Sequence, residues 1–252
     1  MSDARVGTGE DGVHAAPFRV AMERRVDGTW VGAPLPGDGR FVAHVNRWPL
    51  TAWGYDPLWR ARSTGLLTGG AYGTRQERRA LTEWLLGRPA RRVLDVGCGS
   101  GFYLRALHAA DAQVEVHGVE SSAAFLRVAT RRLARDGVDA TLVQADAHDL
   151  PYTDGVFAGV AWGGVPNEFR EPERAFAEGA RVLAPGGRAF FLAVAEAENP
   201  VARASQAPAR LGGLTVPTAD AWIAMLEDAG LRTVRVEHRS PLLVVTLTKG
   251  GG

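Results

Sequence analysis

The segment 93–101 combines a short apolar run with three glycines at alternate positions, Gly97, Gly99 and Gly101. An amphipathic stretch begins directly afterwards at Phe102, so the pattern predicts a buried parallel strand, a tight turn and a helix start. Glycines at such a turn allow positive φ angles and remove the Cβ atoms that would keep a ligand from the backbone. The free N–H groups at the helix start can then hold polar or anionic groups, which predicts a nucleotide-like cofactor.

The spacing of these glycines distinguishes between cofactors. A dinucleotide fingerprint has the form G-x-G-x-x-G, and its third glycine lets helix and strand pack closely. Here Phe102 occupies the position of that third glycine. Its bulky side chain disfavours a pyrophosphate over the turn, so an NAD(P)-dependent Rossmann enzyme is the weaker alternative.

The pattern Asp95-x-Gly97-x-Gly99-x-Gly101 after an apolar strand resembles motif I of class I S-adenosylmethionine-dependent methyltransferases. The resemblance covers roughly residues 75 to 252. It implies an α/β fold with a doubly wound, mostly parallel seven-stranded sheet, Rossmann-like, ending in an antiparallel hairpin. It also implies S-adenosylmethionine as cofactor and S-adenosylhomocysteine as product. In this family the acid at Asp95 orients the loop and reaches the methionine amino group, and Cys98 lies within the cofactor loop.

Glu120 follows the glycine turn by about twenty residues, at the end of the next predicted strand. An acid at this spacing is expected to accept hydrogen bonds from the ribose hydroxyls of a cofactor. Ser121, the next residue, is placed in the same cofactor site. The alternative interpretation is that Glu120 is a helix N-terminal acid, favoured by the helix dipole.

The third predicted strand leads into Ala145-Asp146-Ala147-His148. The resemblance implies that Asp146 accepts a hydrogen bond from the adenine amino group and that the backbone N–H of Ala147 meets the ring. His148 is a candidate catalytic residue, although the family has a variable residue at this position.

The loop after the fourth predicted strand contains Trp162, Asn167, Glu168 and Phe169. In the family this loop faces both the methyl group and the acceptor. Trp162 is therefore assigned to the cofactor, while Asn167 and Phe169 are assigned to the substrate. Glu168 is the candidate general base for a hydroxyl or amine acceptor; its alternative role is to cap the helix that begins near Pro172.

The N-terminal part divides into residues 1–16, predicted to be disordered, and residues 17–74, predicted to form an extension that caps the substrate. Asp27-Gly28 predicts a β-hairpin, and the alternation over 41–48 suggests a third short strand. The aromatic residues of the extension either anchor it to the core or line an apolar acceptor pocket. Those assigned to substrate binding are Trp53, Tyr55, Trp59 and Tyr72.

Residues 75–252 are predicted to form the methyltransferase domain by alternation of strands and helices. The predicted helices are 74–87, 102–110, 122–135, 172–183 and 218–229. The predicted strands are 91–96, 113–119, 140–144, 156–162, 187–195, 231–238 and 242–248. The last two strands are too close in sequence for a crossover, so they must pair antiparallel. Residues 196–217 are expected to be a loop or a short helix beside the site.

Composition narrows the class of protein further. The 252 residues contain 29 basic and 28 acidic side chains, so no net field favours nucleic acid or acidic lipid. Cys98 is the single cysteine, which excludes an intrachain disulfide and fits a cytoplasmic protein. The histidines lack metal-ligand spacing, so no metal is expected, and a metal-dependent catechol methyltransferase is disfavoured. No apolar run is long enough for membrane insertion, and no signal peptide is evident.

These observations predict methyl transfer from S-adenosylmethionine to a small, largely apolar organic molecule, either quinone-like or a secondary metabolite. Positioning of two reactants accounts for much of such a reaction, so a compact catalytic triad is not required. One alternative is a cofactor-binding protein of the same fold that does not transfer the methyl group, for example a cyclisation catalyst. The other is the NAD(P)-dependent enzyme that Phe102 disfavours.

Overall fold

The computed structural model describes most of the chain from residue 17 onwards. The described residues are 17–32, 35, 40, 45, 48, 51–52, 65, 68–88 and 91–251. Among them, no helix has both the length and the apolar character needed to cross a bilayer.

The strands are β1 (Glu23–Arg24), β2 (Trp30–Val31), β3 (Arg92–Val96), β4 (Glu115–Glu120), β5 (Ala140–Gln144), β6 (Phe157–Gly163), β7 (Leu183–Val194), β8 (Leu231–Arg239) and β9 (Leu242–Lys249). The helices are α1 (Thr74–Leu85), α2 (Phe102–Ala110), α3 (Ala123–Arg135), α4 (Pro172–Val182), α5 (Pro200–Ser205), α6 (Ala207–Leu211) and α7 (Ala219–Asp228). A 3-10 turn spans Pro166–Glu168. The predicted helices and strands of residues 75–252 are confirmed to within a few residues at their ends.

The strands form one sheet in the order β1-β2-β5-β4-β3-β6-β7-β9-β8. Its centre, from β2 to β7, is parallel, and β9 pairs antiparallel with both β7 and β8. The predicted doubly wound sheet with a C-terminal antiparallel hairpin is therefore confirmed. The sheet order reverses at β3, so the carboxyl ends of β3 and β4 lie at the edge where ligands bind in open α/β sheets.

The sheet has nine strands among the described residues rather than the predicted seven, because the N-terminal hairpin joins its edge. β1 pairs antiparallel with β2 across the predicted Asp27-Gly28 turn, where Gly28 has a φ of +84°. β2 then pairs in parallel with β5, placing Trp30 opposite Val143. The hairpin is thus part of the main sheet. The third strand predicted at 41–48 lies largely outside the described residues.

Each face of the sheet is covered by its own helices. On one face, α1, α2 and α3 bury apolar side chains such as Leu81, Leu104 and Leu133. On the other face, α4 and α7 bury Phe176 and Trp222. The helices that follow β3 and β4 begin where those strands end, so their N-termini lie at the carboxyl edge of the sheet.

One strand of the C-terminal half, β7, begins earlier than predicted, whereas residues 196–217 agree with the expected loop or short helix. β7 begins at Leu183 rather than after the Pro185-Gly186-Gly187 sequence, and its pairing with β6 contains a register shift between Phe157 and Gly159. A β-bulge of this kind lets a strand pass through residues that normally break one. Residues 196–217 contain the two short helices α5 and α6.

Candidate cofactor and acceptor site

The glycine turn between β3 and α2 has the backbone that its sequence predicts. Gly97, Gly99 and Gly101 have φ angles of +72°, +52° and +79°, which side-chain-bearing residues rarely adopt. The carbonyl oxygen of Val119, on β4, accepts hydrogen bonds from the N–H groups of Gly97 (2.8 Å) and Cys98 (2.9 Å). The turn is therefore held against the end of the neighbouring strand.

Glu120 lies beside this turn. Its Oε2 accepts a hydrogen bond from the Gly99 N–H (3.1 Å), and its Oε1 accepts one from the Ser122 N–H (2.8 Å). Ser121 Oγ lies 3.4 Å from the same Oε1 atom. Burial raises the pKa of the Glu120 carboxyl, and these hydrogen bonds offset only part of that effect. The structure thus brings the predicted turn and the predicted acid into direct contact.

Asp95 and Cys98 lie below the turn, where both side chains are buried. The Cys98 thiol points toward β4, and a Cβ atom at Gly118 would lie 2.7 Å from its Sγ. Burial, followed by the nearby charges of Asp95 and Glu120, raises the pKa of the thiol well above its usual range. Cys98 is therefore a protonated packing residue, because only a thiolate is strongly nucleophilic.

Asp146 and His148 form a pair in the loop after β5. Asp146 Oδ1 accepts hydrogen bonds from the His148 backbone N–H (3.0 Å) and from Nδ1 of its ring. Burial tends to raise the pKa of Asp146, but the hydrogen bonds from His148 and the charge of Arg170, 3.7 Å away, lower it overall. Asp146 is thus an ionised acceptor beside Ala147.

The ring of His148 connects this loop to the start of α4. Its Nε2 accepts a hydrogen bond from the backbone N–H of Glu171 (3.2 Å), while Nδ1 donates to Asp146. The ring is also buried and packs edge-on against Phe169. Because both ring nitrogens are occupied, this geometry favours a structural role over the predicted catalytic one.

Two predicted wall residues lie in the core instead. The Trp162 side chain is fully buried, packs edge-on against Phe176 on α4, and lies so close to Gly179 that a Cβ there would be 2.1 Å from the ring. Phe169 is also buried, with its ring centroid 6.1 Å from that of Phe176. Alternate residues of a strand point to opposite faces, and Trp162 points beneath α4. The assignment of these two side chains to ligand contact is therefore wrong.

Asn167, assigned to the substrate, is a structural clamp. Its Nδ2 donates to the carbonyl oxygens of Val194 and Thr215, both at 2.7 Å, and its Oδ1 accepts from the Val194 N–H at 2.9 Å. The side chain is buried. Its polar atoms are thus used to hold the 3-10 turn against the end of β7 and the segment before α7, which contradicts a direct substrate role.

This clamp predicts that Asn167→Ala lowers the free energy of unfolding by about 2–4 kcal/mol, since buried backbone groups lose their partners at about 1–3 kcal/mol each. Asn199→Ala provides the control, because Asn199 only caps the exposed helix α5 through the N–H groups of Val201 and Ala202. A helix-cap loss costs about 1 kcal/mol. Urea denaturation of both variants measures the difference, and equal losses would contradict the clamp.

Glu168, the candidate base, lies on the turn that adjoins the glycine segment. The nearby Val165 side chain occupies the space where a Cβ of Gly97 would lie, 2.4 Å from Val165 Cγ2. Glu168 is partly buried, and its carbonyl oxygen accepts a hydrogen bond from Arg40 Nη2 (2.6 Å). Arg40 Nη1 also donates to the Gly213 carbonyl (3.3 Å). Sequence reasoning missed Arg40, which no motif marks, although it joins two segments at the acceptor side.

The aromatic residues of the N-terminal extension are only partly described. Trp53, Tyr55 and Trp59 lie outside the described residues. Tyr72 is buried in the same core as α1 and α2, and its backbone N–H donates to Thr68 Oγ1 (2.9 Å). Its position is that of an anchor for the segment leading into α1.

The open, mostly parallel sheet has a glycine turn after β3 and an acid at the end of β4, as the resemblance to class I S-adenosylmethionine-dependent methyltransferases implies. A family model described as a methyltransferase domain matches residues 94–191. The chain therefore has the fold of these methyltransferases, and part of it matches their domain model.

Curated relatives agree with this class. The chain is 35% identical over 115 residues to a demethylmenaquinone methyltransferase of Thermus thermophilus, covering 46% of this chain and 52% of the relative. It is 38% identical over 120 residues to the protein of the same name from Symbiobacterium thermophilum, covering 46% of each. The chain thus spans about half the length of the curated relatives it matches.

Solved structures show the same fold at lower identity. The [4+2]-cyclase SpnF matches with a TM-score of 0.66 and 21% identity, covering 88% of this chain and all of SpnF. A Haemonchus contortus phosphoethanolamine N-methyltransferase 2 matches with a TM-score of 0.67 and 15% identity, covering 83% of this chain and 60% of that one. At these identities the likeness establishes the fold alone.

Proposed function

We propose that this protein transfers a methyl group from S-adenosylmethionine to a small, largely apolar acceptor of the quinone class. The observation that carries the proposal is the contact between Gly99 N–H and Glu120 Oε2 (3.1 Å) at the carboxyl edge of the sheet. It joins the glycine turn to a partly buried carboxylate that can accept hydrogen bonds from hydroxyl groups.

The residues present fit this cofactor. The positive φ angles of the turn allow its tight bend, and partly exposed Gly99 has only Phe125 Cδ1, at 3.8 Å, near the position of an added Cβ. Glu120 would bind the ribose hydroxyls, Asp146 and Ala147 would bind the adenine, and Asp95 would hold the loop toward the amino acid end. Ser121 would lie beside the ribose. The proposal leaves out two of the predicted cofactor residues, Trp162 and Cys98, because their side chains are buried in packing contacts.

The bound cofactor would supply an activated methyl group on a sulfonium, and sulfur would keep the electron pair of the methyl–sulfur bond when the acceptor takes the methyl group. The protein then has to orient the acceptor and exclude water, which can provide about 7–11 kcal/mol of the barrier reduction. Glu168 is the proposed base for the proton that the acceptor releases.

The acceptor class is supported by the relatives, which are named as demethylmenaquinone methyltransferases. We place the reaction in the cytoplasm, since the single cysteine, Cys98, is a buried free thiol. We expect no nucleic acid substrate, because the charge of the whole chain is almost balanced.

The test is an incubation of the purified protein with S-adenosylmethionine and a short-chain demethylmenaquinol, followed by mass spectrometry. We expect a methyl-sized gain on the quinol and an equal amount of S-adenosylhomocysteine, with neither formed when protein is left out. S-adenosylhomocysteine binding without methyl gain would favour a protein that uses the cofactor for another purpose, such as cyclisation. Tighter calorimetric binding of a nicotinamide cofactor would overturn the proposal.

A further inference from the structure

The basic and acidic side chains almost balance in the whole sequence, but the fold places them unevenly on the two faces of the sheet. The helices on one face of the sheet, α1, α2 and α3, together carry eight arginines and two acidic residues. The helices on the opposite face, α4 and α7, carry two arginines and five acidic residues. A net charge of +1 therefore conceals a basic face and an acidic one.

Four arginines of the basic face, Arg75, Arg78, Arg127 and Arg131, form what we term the basic rim. All four are exposed, and their side chains make no hydrogen bond or ion pair within the described part of the chain. Arg79 pairs with Glu83, at the end of α1, and Arg105 and Arg135 pair with Asp136, after α3, while Arg132 also has an interaction partner. The unpaired charges are thus concentrated in the N-terminal and middle turns of α1 and α3.

The rim begins near the edge of the sheet where the site opens and continues along α1 and α3. α3 begins directly after Glu120, so Arg127 is in its second turn and Arg131, eight residues from its start, is about 12 Å along its axis. α1 is oriented the same way. Its Glu77 accepts from Tyr103 Oη (2.6 Å), and that ring packs on Gly163 at the end of β6, whereas Trp84 reaches back to Ala189 O (2.9 Å).

Helix stability does not explain this placement. Cations are favourable near helix C-termini and unfavourable near N-termini, because of the helix dipole. Arg75 and Arg78 lie in the first two turns of α1, with Glu77 between them turned inward and buried. Arg78 also borders a recess of about 300 Å³ that is lined mainly by α2 and by Asp136 and Val138 after α3. The exposed arginines of the rim, rather than this recess, suit an external anionic surface.

We propose that the basic rim docks the protein on an anionic lipid surface, beside which the site takes up its acceptor. This inference rests on the proposed function, because an apolar quinone-class acceptor is dissolved in the bilayer. Arginines near an anionic membrane surface attract it additively, each contributing about 5-fold in partitioning. The acidic helices α4 and α7 then face away from the lipid.

The experiment is co-sedimentation of the full chain with vesicles of phosphatidylcholine alone or with about one third phosphatidylglycerol. We expect binding only to the anionic vesicles, loss of binding in about 0.5 M salt, and at least about 10-fold weaker binding by Arg78→Gln/Arg127→Gln/Arg131→Gln. The matched control, Arg232→Gln/Arg235→Gln/Arg239→Gln, removes three exposed charges from β8 and should bind within about twofold of the wild type.

Equal binding by the two triple variants would overturn the proposal, as would a wild type that ignores anionic vesicles. Retention of a DNA fragment or an acidic protein by the rim without vesicle binding would also overturn it. Calorimetry with S-adenosylhomocysteine on the same preparations keeps the two proposals separate. Vesicle binding without cofactor binding would count against the proposed function, whereas the reverse would count against the docking surface.

Discussion

Glu120→Gln is expected to weaken S-adenosylhomocysteine binding by about 10- to 100-fold and Glu120→Ala by about 30- to 1000-fold. A charged carboxylate can accept from both ribose hydroxyls, and charge-assisted hydrogen bonds contribute about 1.5–3 kcal/mol each. The amide of Gln offers one neutral acceptor, while Ala offers none and also releases the N–H groups of Gly99 and Ser122. Isothermal titration calorimetry measures both losses.

The matched control lies on the same strand. Glu115, at the other end of β4, pairs with Arg92 (2.7 Å), so Glu115→Gln should leave the cofactor affinity unchanged. Burial raises the pKa of Glu120, which means that its ionised form destabilises the free protein at neutral pH. Glu120→Gln should lose affinity, and its thermal stability reports the balance between removal of this buried charge and loss of one of the two hydrogen bonds from Gly99 and Ser122. If Glu120→Gln bound S-adenosylhomocysteine within twofold of the wild-type affinity, the assignment of Glu120 to the ribose would be contradicted.

Local signals in the sequence were sufficient for the order of elements and the cofactor turn. Gly97, Gly99 and Gly101 have positive φ angles in the turn from strand to helix. Because glycine adopts such angles readily, their spacing in the sequence predicts this turn. Glu120 could be placed because parallel strands that follow one another in sequence tend to end at the same edge. These features depend on residues close together in the chain.

The sequence alone did not predict the contacts between distant segments. The two residues of β2 pair with β5 more than a hundred positions later, and nothing in Trp30-Val31 names that partner. Trp162 and Asn167 were assigned to ligands because they lie in a loop at the mouth of the site. Their side chains instead fill the space under α4 and satisfy the Val194 and Thr215 backbone. Only the packed structure decides between these uses of the same residue type.

The charge distribution required the fold as well. Arg75 and Arg127 are far apart in sequence, and the total charge of the chain suggests no preferred partner. They share a face because α1 and α3 cover the same side of the sheet.

His117→Asn is expected to flatten the dependence of stability on pH. His117 lies in the core on β4, against the rings of Tyr152 and Phe157, with Nδ1 3.3 Å from Tyr152 Oη. Burial, assisted by the positive charge of Arg92, lowers the pKa of this imidazole to about 3. The folded protein therefore keeps His117 neutral over a pH range in which the unfolded chain binds a proton.

This difference fixes the sign of the effect. Above a pH of about 6.5 the imidazole is neutral in both states, and its contribution is independent of pH. As the pH falls from about 6.5 toward 3, the unfolded chain gains a proton that the folded protein does not, so the free energy of unfolding decreases by about 1.4 kcal/mol per pH unit. His117 alone should lower the free energy of unfolding of the wild type by about 2 kcal/mol between pH 6.5 and pH 5.

Urea denaturation at a series of pH values measures the free energy of unfolding of the wild type and of His117→Asn. The difference between the two proteins should change progressively as the pH falls below about 6.5. The offset above pH 7, which reflects the smaller volume of Asn, should stay constant and can be subtracted. Tyr152→Phe removes the hydroxyl partner but keeps the aromatic wall. It should retain the wild-type pH dependence, because burial rather than this hydrogen bond is the main cause of the lowered pKa. Parallel curves for wild type and His117→Asn would show that the imidazole is protonated in the folded protein.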